Sequence, residues 1–131
     1  MDILNADKPR RRPPRDEEHL LQCRCVRWFR LQHPRLAHAL FAVPNGRRDK
    51  LTGAKLKEEG VLAGVADLIL LKRTARHGAL LIEMKTPTGR QSTAQREWER
   101  LITQGGEYRY VVCRTLDEFI NEVSCYLRED E

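Results

Sequence analysis

Two apolar runs, residues 67–71 and residues 79–82, lie only seven residues apart, and the second leads straight into Glu83, Met84 and Lys85. Parallel neighbours need a crossover of about a dozen residues or more, which the polar stretch 72–78 cannot supply. The two runs therefore predict an antiparallel hairpin. Folding it at its midpoint, near Ala75 and Arg76, sets Asp67 opposite Met84, within one residue. Strands this apolar need covering, so the rest of the chain has to provide helices.

It does. From residue 16 to about 33, Leu21, Cys25, Trp28 and Phe29 recur at helical spacing, and Pro34 marks the stop. Residues 38–43 read as a strand closed by Pro44, Asn45 and Gly46, with a short helix over 52–59 ended by Gly60. After the hairpin, Ser92 to Gln95 has the form of a capping box opening a helix that buries Ala94, Trp98, Leu101 and Ile102. Residues 108–113 form a fourth strand. A second box, Thr115 to Glu118, opens a last helix with Leu116, Phe119, Ile120, Val123 and Leu127 on one face. The order α-β-α-β-β-α-β-α predicts an α/β fold: a mixed four-stranded sheet flanked by helices on both faces.

Strand alternation sends Glu83 and Lys85 to one face, ~7 Å apart along the chain, and the hairpin brings Asp67 beside them. Two carboxylates and an ammonium then meet at the margin of an apolar sheet, where unpaired charge is costly. Lys85 can neutralise one carboxylate. A hard divalent cation, Mg²⁺ or Mn²⁺, would compensate the pair. A cross-strand salt bridge reaching solvent satisfies the same residues, and an E-x-K triplet is too common to decide between the two. Glu18 and Gln22, four residues apart beside the first apolar stripe, are placed to lean over a cleft edge.

The net charge of +5 is uneven. Residues 1–15 carry Lys8, Arg10, Arg11, Arg12 and Arg15 against Asp2 and Asp7, and the rest of the chain is nearly balanced. This proline- and arginine-rich segment predicts a disordered basic arm ahead of a single domain over 16–131. It serves either as a solubilising tail or as a strap along nucleic acid, whose counterions basic contacts release. Cys23, Cys25, Cys113 and Cys125 lack zinc-site spacing. Cys25, Cys113 and Cys125 sit in apolar segments, which predicts buried reduced thiols and fits a cytoplasmic protein. No apolar run approaches the ~18 residues of a membrane span, and no signal core opens the chain.

The stretch GVLAGVADLILL, followed by LLIEMKTPTGRQSTAQREWERL, resembles the VRR-NUC family of the PD-(D/E)xK nuclease superfamily. The likeness runs from about Glu18 to Leu127. It is carried by the acidic residue and glutamine of the first helix, Pro44-Asn45-Gly46, Gly64-Val65 with Asp67-Leu68, Glu83-x-Lys85, and Gln95 with Trp98. Family members are known as stand-alone phage and bacterial domains and as modules of eukaryotic repair enzymes. The resemblance implies a restriction-endonuclease-like fold and Mg²⁺- or Mn²⁺-dependent hydrolysis of DNA, branched or junction DNA in particular. A homodimer would let two sites make paired cuts. Residue by residue, it implies that Asp67 and Glu83 bind metal, joined by the Met84 carbonyl and Glu18 (Glu17 as the fallback), and that Lys85 is the catalytic lysine. Gln22 and Gln95 match glutamines near the site, though Gln95 can equally cap its helix through Ser92. Arg90 and the amides of the helix opened by Ser92 suit a phosphate, as do Asn45, Arg47 and Arg48 in the loop beyond the first strand. The family usually has proline where this chain has Ala66, a backbone-shaping position with no chemical part. A non-catalytic nucleic-acid-binding module, or a structural partner in a larger assembly, is the alternative. The intact Asp67, Glu83 and Lys85 argue against it.

Overall fold

The computed structural model describes residues 14–44 and 50–130. Residues 1–13 of the expected basic arm, and Asn45, Arg47 and Arg48, lie outside the described residues. Helix α1 (Pro14–Gln32) opens two residues before the expected boundary, with proline at the first helical position, where a missing N–H costs nothing. A 3₁₀ turn (Pro34–Ala39) follows, then β1 (Leu40–Ala42) and α2 (Lys50–Glu58). The hairpin is β2 (Leu68–Leu70) and β3 (Leu80–Met84), and α3 (Thr93–Thr103) crosses over to β4 (Arg109–Cys113). The chain ends on α4 (Leu116–Leu127) and a 3₁₀ turn (Arg128–Asp130). The architecture is α/β, as expected.

The sheet order is β1-β2-β3-β4. The first two pairings are antiparallel and β3 pairs β4 in parallel. Leu68 faces Ile82 across the hairpin, so one further step sets Asp67 beside Glu83, within one residue of the expected register. Every residue of β3 is buried. Leu80, Ile82 and Met84 join the larger core with Cys25 and Phe29 of α1 and Phe119 and Val123 of α4. On the opposite face Leu81 packs with Ala66 and Ala79 beneath Trp98 and Ile102 of α3. Glu83 follows Leu81 on that second face by strand alternation.

Several expectations need correction. The strand expected over 38–43 starts only at Leu40, because the turn begun by Pro34 carries His38 and Ala39. Leu101 is 66% exposed and Ala94 is exposed too, since α3 turns only Trp98 and Ile102 down onto the small second core. Cys125 is exposed; Cys25 and Cys113 are buried, and all four cysteines are free. Tyr126, absent from the expected stripe of α4, is fully buried and donates its hydroxyl to the Lys72 carbonyl at 2.6 Å. The second capping box is half formed. Thr115 accepts from the Glu118 amide, but the Glu118 carboxylate reaches one residue further back, to the Arg114 amide at 2.6 Å.

Two glycines shape the approach to the open end of the hairpin. Gly60 (φ +101°) ends α2 with bonds from its own amide to Lys57 and from Val61 back to Leu56, a Schellman closure. Gly64 (φ +92°) lies so close to α3 that a Cβ there would sit 2.7 Å from the Ala94 carbonyl carbon.

Candidate active site

At the open end of the hairpin the Asp67 carboxylate accepts the Met84 amide at 2.6 Å through Oδ2. Asp67 is thus fastened across the strands to the residue between Glu83 and Lys85. Glu83 is 1% exposed. Its Oε1 accepts from Gln95 Nε2 at 2.8 Å and its Oε2 accepts from the Tyr110 hydroxyl. Burial, foremost, holds the Glu83 carboxyl above the usual carboxylate range; the Tyr110 bond and Lys85 pull it back, and the adjoining Asp67 pushes it further up. The two carboxylates are close neighbours.

Glu18, near the start of α1, is held above its ordinary value by burial first. Lys85 and a hydrogen bond from the Thr86 backbone oppose that, and the Asp67 charge adds to it. The acidic residue of the first helix therefore belongs to the same electrostatic neighbourhood as Asp67 and Lys85. Glu18, Asp67 and Gln95 line one cleft of about 920 Å³, roofed by α2 and residues 60–65. Gln22, one turn further along α1, lies instead in a separate groove with Cys23 and Val26. Lys85 is half-buried and forms no ion pair within 4.0 Å with Asp67 or Glu83; the pairs among the described residues lie elsewhere. The expected direct neutralisation by Lys85 is thus a longer-range influence.

Gln95 takes both roles the sequence left open. Its Oε1 accepts the Ser92 amide at 2.7 Å, its own amide donates to Ser92 Oγ at 3.1 Å, and its Nε2 is the donor to Glu83. The side chain caps α3 and ties it to Glu83. Ser92 is exposed at the N-cap and Arg90 is exposed just before it.

Sequence reasoning missed Tyr110, Gln91 and Arg114. Arg114, at the end of β4, donates to the carbonyls of Thr86 at 2.7 Å and Gly89 at 2.6 Å, fixing the turn that leaves β3 just past Lys85. Gln91 Nε2 reaches Tyr110 Oη at 3.4 Å and Glu99 Oε1 at 2.9 Å. The available signal was parity: once β3 and β4 are known to pair in parallel with Leu81 beside Tyr110, Tyr110 shares the face of Glu83. That register is a long-range fact no local pattern carries.

The VRR-NUC domain model matches residues 4–116. The chain belongs to the VRR-NUC family. A solved structure described as a VRR_NUC domain protein is similar at 25% identity, covering 88% of this chain and 91% of that one, with a TM-score of 0.76. A search of curated proteins finds no match. Membership places the chain in the PD-(D/E)xK superfamily and gives it a nuclease-type function with DNA as substrate. The VRR-NUC family generally uses divalent metal ions.

The residues present fit such an ion. No three His, Cys, Asp or Glu side chains among the described residues form a ready cage. Two adjoining carboxylates beside a cleft are nevertheless the sparse hard-oxygen set by which Mg²⁺, which keeps much of its water, is held. Each Glu83 oxygen accepts from one donor and keeps the capacity for a second partner, because a carboxylate oxygen offers about two acceptor positions. Among the described residues no helix is long and apolar enough to cross a membrane.

Proposed function

We propose that this VRR-NUC domain is a Mg²⁺- or Mn²⁺-dependent endonuclease that hydrolyses DNA phosphodiesters, with branched or junction DNA as its preferred form. The carrying observation is the meeting of Asp67 and Glu83, 16 residues apart in sequence, within the electrostatic reach of Lys85, where Asp67 and Glu18 line one cleft. Asp67, Glu83, the Met84 carbonyl and Glu18 would hold the cation. When bound, it supplies Lewis acidity and positive charge for the scissile phosphate.

The remaining work falls to the chain. The Lys85 ammonium orients the attacking water and balances the negative charge that builds on the phosphorus oxygens. Gln95 keeps the Glu83 carboxylate turned toward Asp67 while capping α3. Arg90 and the free amides at the start of α3, an eleven-residue helix, receive a neighbouring phosphate. Basic residues of the arm, with Arg47 and Arg48, hold the DNA backbone. A homodimer acting in the cytoplasm would cut both strands of a junction.

Purified protein incubated with junction, duplex and single-stranded DNA, in Mn²⁺ or EDTA, tests this directly. Cleavage of the junction in Mn²⁺ and none in EDTA is expected. Asp67→Ala and Lys85→Ala should abolish cleavage while circular dichroism stays native. Full activity in either variant sinks the assignment. Tight DNA binding by the wild type with no cleavage of any form returns the domain to a binding module. Light scattering decides the dimer: full junction cleavage at monomeric mass removes it.

A further inference from the structure

The Glu83 carboxylate is approached by two donors whose protons are fully assigned by their own neighbours. On one side, a backbone amide can only donate, so the bond from Ser92 N fixes the Gln95 oxygen, and the Gln95 NH₂ must turn to Glu83. On the other side stands Tyr110, beside Leu81 in the sheet and edge-on to Trp98 with ring centroids 6.2 Å apart. A phenol has one proton. Gln91 Nε2 lies 2.9 Å from Glu99 Oε1, and an ionised carboxylate only accepts, so it is the Gln91 NH₂ that faces both Glu99 and the Tyr110 oxygen at 3.4 Å. With its oxygen already accepting, the Tyr110 hydroxyl spends its proton on Glu83.

We infer that Tyr110, oriented by Gln91 and Glu99, is a positioning residue that locks the Glu83 carboxylate in the one orientation competent to share a divalent cation with Asp67. The inference rests on the reading of Asp67 and Glu83 as cation ligands. Packing alone does not account for the arrangement. The ring's contact with Trp98 needs no hydroxyl, and a phenol placed only to fill space would not require a glutamine and a second carboxylate lined up behind it. Partners of this kind hold ligand carboxylates in place, and losing one typically costs roughly ten- to a hundredfold in metal affinity.

The test is Mn²⁺ binding by isothermal titration calorimetry, without DNA, on wild type, Glu83→Gln, Tyr110→Phe and Gln91→Leu, with thermal unfolding measured on each. Tyr110→Phe keeps the ring and removes only the hydroxyl. The expected result is severe loss of binding in Glu83→Gln, roughly tenfold weaker binding in Tyr110→Phe, and a few-fold weakening in Gln91→Leu. A merely structural hydroxyl would lower the melting temperature without moving the Mn²⁺ affinity. That outcome, with Glu83→Gln impaired, overturns the role of Tyr110 and leaves the cation site standing. Undiminished binding in Glu83→Gln overturns the cation site itself, and the inference with it. Should Tyr110→Phe fail to fold, Gln91→Leu decides: a few-fold loss supports the relay, and wild-type affinity refutes it.

Discussion

Gln95 is the residue on which most depends, because one amide group serves a helix and a carboxylate at once. Ser92→Ala removes a helix cap and should cost about 1 kcal/mol. Gln95→Ala also removes a hydrogen bond to a charged partner, an additional cost of about 1.5–3 kcal/mol. Urea unfolding should therefore rank Gln95→Ala clearly below Ser92→Ala, and only the former should weaken junction cleavage; equal stabilities would show that the Glu83 bond contributes nothing. The thiols make a second residue-level prediction. Burial pushes Cys25 and Cys113 up to about 12, with Cys25 adding to the shift at Cys113. An aromatic disulfide reagent at neutral pH should react promptly with the exposed Cys23 and Cys125 and reach the other two only on unfolding. Their stabilising share is complete below the unfolded thiol's value of 9.0 and is lost as pH climbs from there toward about 12. The closeness of Asp67, Glu83 and Lys85 was legible because spacing and strand alternation are local; Cys125 was misplaced because an apolar neighbourhood in sequence did not reveal which way α4 turns.

Among the elements, α3 and the loop before β2 are fitted to one another through Gly64. Its positive φ and the 2.7 Å approach of the Ala94 backbone leave no place for a methyl group. Gly64→Ala should cost about 2 kcal/mol or more by denaturant unfolding and should impair cleavage as well, since the same loop lines the cleft. A stability within 0.5 kcal/mol of wild type would mean the contact relaxes freely. The hairpin itself was readable because its connection is too short for anything else. The fate of 38–43 was not: the same residues suit a strand or a 3₁₀ turn, and Pro34 together with the sheet edge settled the choice. Likewise Leu101 fits the periodicity of α3, yet the second core is only wide enough for Trp98 and Ile102.

The molecule as a whole separates its chemistry from its fastening. The candidate site lies at the open end of the β2–β3 hairpin, while the closing turn at the other end is tied to the last residues of the described chain. Thr74 Oγ1 donates to Glu129 at 2.8 Å, His77 Nδ1 meets the same carboxylate at 2.7 Å, and the Ala75 amide donates to Asp130 at 2.5 Å. Burial works against ionisation of Glu129, but its bonds from His77 and Thr74, with the nearby positive charge of His77 and Arg109, hold it below the usual range. A carboxyl lowered in the fold stabilises above its unfolded value and loses that contribution as pH falls through its folded one. Glu129→Gln should accordingly lower the melting temperature at neutral pH, narrow its gap to wild type on acidification, and leave the cleavage rate unchanged where both are folded. A constant gap across pH would refute the titration, and a slower rate would refute the separation. None of these long-range ties was visible in the sequence, because Thr74 and Glu129 stand 55 residues apart.

The shared amide of Gln95 has a consequence for how such a domain can change over time. A mutation that abandons the glutamine loosens a helix end and a carboxylate in the same step, so every substitution there is felt twice. Lineages that lose cutting should therefore give up Asp67 or Lys85 first and keep the glutamine as scaffold.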